Sequence, residues 1–293
     1  MLQSHHIHLN GQPFHMLTWG DPANSPLVFL HGFPEYSGAW DEVATRLADR
    51  FYCVAPDQRG YGQSWAPAEV EHYTTSRLVA DVAALVDYLD MGPVTVVGHD
   101  WGSAPAYGLA MALPDMVARL IILNGVHPVP FQRALAAGGA QTLASQYILT
   151  LRQEGSEQAL AAHDHAPLMN LFSAHMDMRW MTAARRDAYR TEWMRPGRLR
   201  AMLNWYRASP LRVARPGEPL TDLPPLPVDR LMVRCPHLLL WGENDTALLP
   251  EASEGLETFA PDLTRLSLPG TDHWLHHQNP DAVATAIADF TTP

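Results

Sequence analysis

The sequence contains no lysine, because all 20 of its basic residues are arginine. This absence excludes a Schiff base, a pyridoxal phosphate anchor and the lysine of a nucleotide-binding P-loop, since each needs a lysine amine. Basic charge is also outnumbered: 31 acidic residues give the chain a net charge of −11. We therefore expect no nucleic acid partner, since phosphates bind to basic surfaces.

Cysteine is scarce and long apolar runs are missing. Cys53 and Cys235 each lie in an apolar run typical of a buried strand, which favours reduced core residues over a disulfide or a metal site. No run approaches the ~18 apolar residues of a membrane-spanning helix, and the N-terminus lacks the pattern of a secretion signal. We expect a cytoplasmic protein without a membrane partner. Abundant arginine and alanine without lysine also indicate a GC-rich bacterial genome.

Short apolar runs alternate with stretches of helical periodicity. A hairpin is predicted over 6–9 and 14–19, and the runs that favour buried parallel strands are 27–30, 51–55, 94–98, 119–123, 237–241 and 263–268. Helices are predicted over 76–90, 103–113 and 280–290. This alternation predicts an α/β fold, with a mostly parallel central sheet between helices.

The stretch 128–220 differs from the rest of the chain. It is rich in methionine and helical in pattern, and prolines crowd its end, as they do in linkers. We therefore predict two domains. Residues 1–127 and 221–293 form the core, and 128–220 form an inserted helical domain.

The string GHDWG, residues 98–102, lies between a predicted strand and a predicted helix. Its two outer glycines allow a sharp turn that pushes the side chain of Asp100 into a cleft. The N–H groups at the start of the helix favour an ionised carboxylate, so Asp100 is a candidate nucleophile. The alternative is that Asp100 only caps the helix.

Two further candidates follow later predicted strands. Asp245 and His273 come after the carboxyl ends of their strands, as Asp100 does, and open α/β sheets place their sites there. The order along the chain is nucleophile, acid, histidine. The N–H groups of Phe33, in the loop after the first core strand, and of Trp101 are positioned to hold an oxyanion.

The strings HGFPE, DQRGYGQS and GHDWGS, with the late Asp and His, occur in the order and spacing of the α/β-hydrolase superfamily. Over nearly its whole length the sequence resembles the soluble epoxide hydrolases, whose close relatives are the haloalkane dehalogenases. The resemblance implies an α/β-hydrolase fold with a helical cap (lid) at 128–220, and neither a cofactor nor a metal. It also implies a cis Phe33–Pro34 bond, and an apolar epoxide and water as substrates.

Two tyrosines favour epoxide hydrolases among these relatives. Tyr206, in the string NWYR, is similar to the family segment that carries one of two phenols that protonate the epoxide oxygen, and Tyr147 falls where the other belongs. Packing in the cap is the alternative for each. The implied reaction forms an alkyl ester on Asp100, which water activated by His273 and Asp245 hydrolyses to a vicinal diol.

Two other functions stay open. A haloalkane dehalogenase would use the same Asp100, Asp245 and His273 with Trp101 as halide donor, although Phe33 stands where dehalogenases often carry a second donor. A catalytically silent binding protein on this fold is the more remote alternative.

The substrate pocket and the surroundings of the site complete the predictions. The pocket residues we expect are His31, Pro34, Glu35, Trp205 and Trp274. For Glu35, ordering the hydrolytic water and lying solvated in a loop are both open, and His276 and His277 are predicted on the surface. We expect a monomer or a homodimer.

Overall fold

The computed structural model describes residues 1–224 and 227–292, in which eight strands form one sheet. The strand order is β1-β2-β4-β3-β5-β6-β7-β8; β2 pairs antiparallel with β1 and β4, and all other pairs are parallel. The strands are β1 (Gln3–Leu9), β2 (Gln12–Trp19), β3 (Ser25–Leu30), β4 (Phe51–Pro56), β5 (Val94–His99), β6 (Val117–Leu123), β7 (His237–Gly242) and β8 (Leu263–Leu268). The predicted hairpin and mostly parallel sheet are confirmed.

Helices cover both faces of the sheet. Around it lie α1 (Asp41–Leu47), α2 (Thr75–Leu89), α3 (Ser103–Ala112), α10 (Leu275–Gln278) and α11 (Pro280–Thr291). The alternation of side chains along β3 divides the core: Val28 faces a cluster with α2 and α3, and Phe29 faces a cluster with α1 and α11. Strands buried on both faces have continuous apolar runs, which explains why the runs predicted the strands. The short helix α1 was not predicted.

The segment 128–220 lies between β6 and β7 and is helical for most of its length, as predicted. It contains α4 (Pro128–Ala136), α5 (Ala140–Ala144), α6 (Tyr147–Leu151), α7 (Ser156–Ser173), α8 (Ala183–Trp193) and α9 (Arg198–Ala208). Left-handed backbone at 163–165 interrupts α7. In the described part of the chain, no helix combines the length and apolarity needed to cross a membrane.

The cysteines are both free, and they differ in position. Cys53 is buried in β4, as predicted. Cys235 is only partly buried and precedes β7 by two residues, so the prediction that it lies in a strand is wrong. The apolar run of the sequence begins before β7 does, so it includes residues of the segment that leads into the strand.

The turn from β5 to α3 passes very close to β3. A side-chain carbon on Gly102 would lie 2.1 Å from the carbonyl oxygen of Leu30, and one on Gly98 would lie 2.9 Å from the carbonyl oxygen of Gly102. Backbone atoms cannot move aside as the tip of a side chain can. Both glycines are therefore required for the approach of this turn to its neighbour strand.

We expect Gly102→Ala to lower the free energy of unfolding by about 1–3 kcal/mol, the usual cost of overpacking a close-packed interior. Urea unfolding measures the difference. Gly139→Ala is the matched control, because nothing lies within 4 Å of the carbon it would add. Equal stabilities of the two variants would contradict the close approach.

Candidate active site

Asp100 occupies the tight turn at the end of β5. Its backbone has φ +46°, in the left-handed region that non-glycine residues rarely adopt and that marks functional turns. Its Oδ1 accepts the N–H of Phe33 at 2.8 Å, and its own N–H donates to the carbonyl of Asn124 at 3.3 Å. Gly32 lies so close that a side-chain carbon there would be 2.4 Å from Cβ of Asp100. The carboxylate is therefore held from the loop after β3, and the backbone of Asp100 from the end of β6.

His273 lies between two carboxylates. Its Nδ1 is 2.8 Å from Oδ2 of Asp245, and its Nε2 is 3.6 Å from Oδ2 of Asp100, which is too long for a hydrogen bond. The other Asp245 oxygen, Oδ1, accepts the N–H groups of Ala247 and Leu248 at 2.7 and 3.0 Å. Asp245 thus orients the ring, and Nε2 faces Asp100.

Burial and neighbouring charges have opposite effects on the pKa values of His273 and Asp245. Burial opposes the charged form of His273, but Asp245 and Asp100 outweigh it and raise the pKa of His273 well above its ordinary value. Burial likewise opposes ionisation of Asp245, but the charge of His273 and several N–H donors hold its pKa below the ordinary value. The two carboxylates on either side of His273 therefore favour its charged form.

Asn124 is a site residue that sequence reasoning missed. Its Nδ2 donates to Oδ2 of Asp245 at 2.6 Å, and its Oδ1 accepts the N–H of Gly242 at 2.7 Å. With the bond from Asp100 to its carbonyl, Asn124 connects the two acids. Its position at the carboxyl end of β6, between the strands that carry these acids, was the available signal.

The two predicted phenols come from the helical segment. Tyr147 opens α6 and Tyr206 lies in α9, with ring centroids 6.3 Å apart and planes near perpendicular. The ring of Tyr206 also packs edge-on against Trp101 at 4.8 Å and Phe33 at 5.2 Å. Burial raises the pKa of both tyrosines, with a further contribution from the Asp100 charge, so both phenols keep their protons at neutral pH.

Two cavities meet at Asp100, Tyr147 and Tyr206, which line both. One measures about 140 Å³, and its further walls include Phe131, Ile148 and Leu211. The other measures about 290 Å³, and its further walls include Phe33, Pro34, Phe172, Met176, His273 and Trp274. A carboxylate, a histidine and two phenols thus open into mostly apolar space, as is typical of small-molecule sites.

Pocket residues predicted from the sequence divide into two groups. Pro34 and Trp274 line the larger cavity. His31, Glu35 and Trp205 line neither of the cavities that contain Asp100, so those predictions are wrong. His31 is buried behind its loop, where its Nε2 accepts the N–H of Gln58, and Trp205 turns away and donates to the carbonyl of Arg59. His31 therefore joins the loops after β3 and β4, and Trp205 joins helix α9 to the loop after β4.

Glu35 is buried and bonded on several sides, which rules out the solvated alternative. It accepts the hydroxyl of Tyr189 at 2.8 Å and lies 2.8 Å from Nε2 of His277 and 3.2 Å from Nδ1 of His99. Burial opposes its ionisation, but His276 and hydrogen bonds from the histidines hold the pKa of Glu35 well below its ordinary value. Glu35 is therefore an anion inside the protein.

The histidines around Glu35 extend to the loop that carries His273. His99 Nε2 lies 2.8 Å from the carbonyl oxygen of His273, so Glu35 supports that loop through one imidazole. The prediction that His276 and His277 lie on the surface is wrong, because both are buried against Glu35 and the ring of Trp180 stacks on His277 at 3.9 Å. Among the described residues, donor atoms of Glu35, His99 and His276 lie within 4.8 Å of one another, close enough to hold a metal ion.

The cis Phe33–Pro34 bond expected from the resemblance is confirmed. Of the two N–H groups expected to hold an oxyanion, that of Phe33 donates to Asp100 in this structure. The other N–H group belongs to Trp101, which follows Asp100 directly in the turn before α3.

Comparison with known proteins gives consistent relatives. Residues 25–280 match the family described as alpha/beta hydrolase fold. Epoxide hydrolase 4 of Mus musculus is 30% identical over 288 residues, which cover 96% of this chain and 77% of that protein.

Solved structures are similar over the whole chain. One described among novel epoxide hydrolases of the α/β-hydrolase superfamily, from metagenomes of hot environments, has a TM-score of 0.91 at 35% identity and covers 100% of this chain and 99% of its own. The epoxide hydrolase of Bacillus megaterium in complex with an inhibitor has a TM-score of 0.85 at 28% identity, covering 98% of this chain and 99% of its own.

The position of His273 between two carboxylates leads to a prediction about its titration. In Asp100→Asn the pKa of His273 falls, because one of the two carboxylates that stabilise the imidazolium is gone. NMR titration of the His273 ring protons measures it. Asp187→Asn, on the exposed face of α8, is the control and leaves that pKa unchanged. An unshifted pKa in Asp100→Asn would refute this effect of the Asp100 carboxylate.

Proposed function

The chain belongs to the α/β-hydrolase fold family and, within it, to the epoxide hydrolases, and from this membership and the site around Asp100 we propose that it hydrolyses epoxides to vicinal diols. One observation carries the proposal. The Asp100 carboxylate, in a turn with left-handed backbone, and the protonated phenols of Tyr147 and Tyr206 line the same mostly apolar cavity. This arrangement supplies a nucleophile and an acid on opposite sides of a small apolar molecule.

In the first step, Asp100 attacks one carbon of the epoxide ring. Its Oδ1 is engaged by the N–H of Phe33, so Oδ2 is the oxygen that forms the new bond. The carbon–oxygen bond of the ring breaks, and Tyr147 or Tyr206 gives its proton to the departing oxygen, because an alkoxide leaves poorly without one. The product is a hydroxyalkyl ester of Asp100 and a phenolate, which is reprotonated before the next turnover.

The second step depends on the loss of the negative charge of Asp100 in the first step. Once Asp100 is an ester, it no longer stabilises the His273 cation, so the pKa of His273 falls. The ring then gives its proton, through solvent, to the phenolate left by the first step and becomes a base. His273 then takes a proton from water, which attacks Cγ of the ester, while Asp245 stabilises the imidazolium. The oxyanion forms on Oδ1, where the Phe33 N–H already donates. As the tetrahedral intermediate collapses, the leaving oxygen takes the proton of the hydroxyl that was added to Cγ, so the diol leaves and Asp100 is restored as a carboxylate.

The helical segment 128–220 acts in this proposal as a cap domain that completes the site. It brings both phenols to the core, together with much of the apolar lining. The lining favours an uncharged, apolar epoxide, with no cofactor needed for either step. For a haloalkane dehalogenase, Trp101 would have to bind halide where the Tyr206 ring packs against it, and Phe33 offers no side-chain donor. The geometry therefore favours the epoxide.

The ester intermediate is the direct test. In His273→Gln, incubation with a terminal aryl epoxide is expected to leave a stable adduct whose mass equals the whole epoxide, since ester formation is intact and hydrolysis is blocked. Intact-protein mass after an acid quench measures it. Asp100→Ala in the same background is the control and forms no adduct.

Incubation of His273→Gln with a bromoalkane tests the alternative of a haloalkane dehalogenase. An alkyl adduct from the bromide alone would establish dehalogenation instead, and no adduct from either reagent would contradict the proposed nucleophile.

The phenols make a second prediction. Tyr206→Phe is expected to lower kcat on the epoxide by about 10²-fold or more, within the usual range for loss of a general acid. Steady-state kinetics measures it, with the melting temperature as a check on folding. Tyr107→Phe is the control, because its buried hydroxyl pairs with His237 away from the site. Equal losses in the two variants would remove Tyr206 from the mechanism.

A further inference from the structure

Arg152 joins the two helices that carry the phenols. It follows α6, which begins at Tyr147, and its guanidinium reaches the end of α9. Its Nε donates to the carbonyl oxygen of Tyr206 at 2.8 Å. Its Nη1 and Nη2 donate to the carbonyl oxygens of Leu211 and Ser209 at 2.8 and 3.2 Å. All three acceptors are backbone atoms of α9 or of the chain directly after it.

The end of α9 has a physical need for such a group. Tyr206 lies two residues before the last residue of this helix, so its carbonyl is among those without a partner inside the helix. The helix dipole also places partial negative charge there, which a cation stabilises. A guanidinium is rigid and planar, so three bonds from it fix an orientation as well as a distance.

The environment of Arg152 indicates that it serves these carbonyls. Burial lowers its pKa, and among the described residues no carboxylate counters that effect. Arg152 lines neither cavity that contains Asp100, so it has no contact with a substrate there. Most other arginines of the helical segment pair with acids, for example Arg190 with Asp164 and Arg207 with Glu157.

We infer that Arg152 is a positioning residue: it fixes the end of α9 relative to α6 and thereby holds the phenol oxygen of Tyr206 toward Asp100. This inference rests on the epoxide hydrolase function proposed above. Protonation by either phenol requires its oxygen within hydrogen-bond reach of the epoxide. A misplacement of about 1 Å caused by a distant substitution can cost 10²-fold in rate.

The experiment measures ester formation alone, in the His273→Gln background where hydrolysis is blocked. Arg152→Met is expected to slow adduct formation from the aryl epoxide 10- to 100-fold. Arg152→Lys keeps the charge but not the planar fork, so it recovers only part of the rate, and it provides the test if Arg152→Met fails to fold. Rapid acid quench and intact-protein mass give the rates.

Two comparisons separate positioning from general stability. Gln132→Leu breaks a pair of bonds between α4 and Arg212 in the same segment, and should slow adduct formation less than threefold at a similar loss of melting temperature. Adding Tyr206→Phe removes the phenol that Arg152 positions. In that background Arg152→Met should slow the reaction less than threefold further.

The outcomes decide between the two proposals. An unchanged rate in Arg152→Met, or the same fold loss with and without Tyr206→Phe, would overturn the role of Arg152 and leave the proposed function standing. If the parent His273→Gln forms no adduct at all, the proposed function fails and the inference fails with it.

Discussion

The placement of one cation between two acids is the interaction on which the rest of the site depends. His273 is buried, and an imidazolium there is stable only because Asp245 and Asp100 both face it. Asp245 has to remain ionised in the interior, which the N–H groups of Ala247 and Leu248 and the amide of Asn124 allow. The charge on Asp100 then controls whether His273 holds its proton. In the proposed reaction, ester formation removes that charge and makes the base available at the step that needs it.

The same constraint explains the tight backbone around Asp100. The carboxylate must lie close to His273 without bonding to it, and must also receive the N–H of Phe33 from the next strand. Only a turn with left-handed backbone at Asp100, and without side chains at Gly32 and Gly102, permits both approaches. The electrostatic balance of the site is thus built on a packing requirement.

The sequence predicted those parts of the molecule that local patterns determine. Buried parallel strands are continuous apolar runs, and Asp100, Asp245 and His273 follow the ends of such runs, so the sheet and the three residues could be placed together. The surroundings of Glu35 could not, because the burial of His277 depends on Trp180 and Tyr189, which are distant in sequence. The predictions that His31 and Trp205 line the pocket failed for a related reason.

His31 lies two residues before Phe33 and Trp205 lies next to Tyr206, yet both side chains bond to the loop after β4, which is distant from each of them in the sequence.

Docking of the helical segment on the core follows a simple rule. Five of its side chains donate to backbone carbonyls of core loops: Gln141 to Ala247, Trp193 to Pro34, Arg198 to Gly62, Asn204 to Ala68 and Trp205 to Arg59. A backbone carbonyl is present whatever side chain the core residue carries. Three of these five donors lie on α9, so this helix carries most of the bonds of this kind. Because Tyr206 lies on that same helix, the contacts that fix the segment also set the position of the proposed acid relative to Asp100.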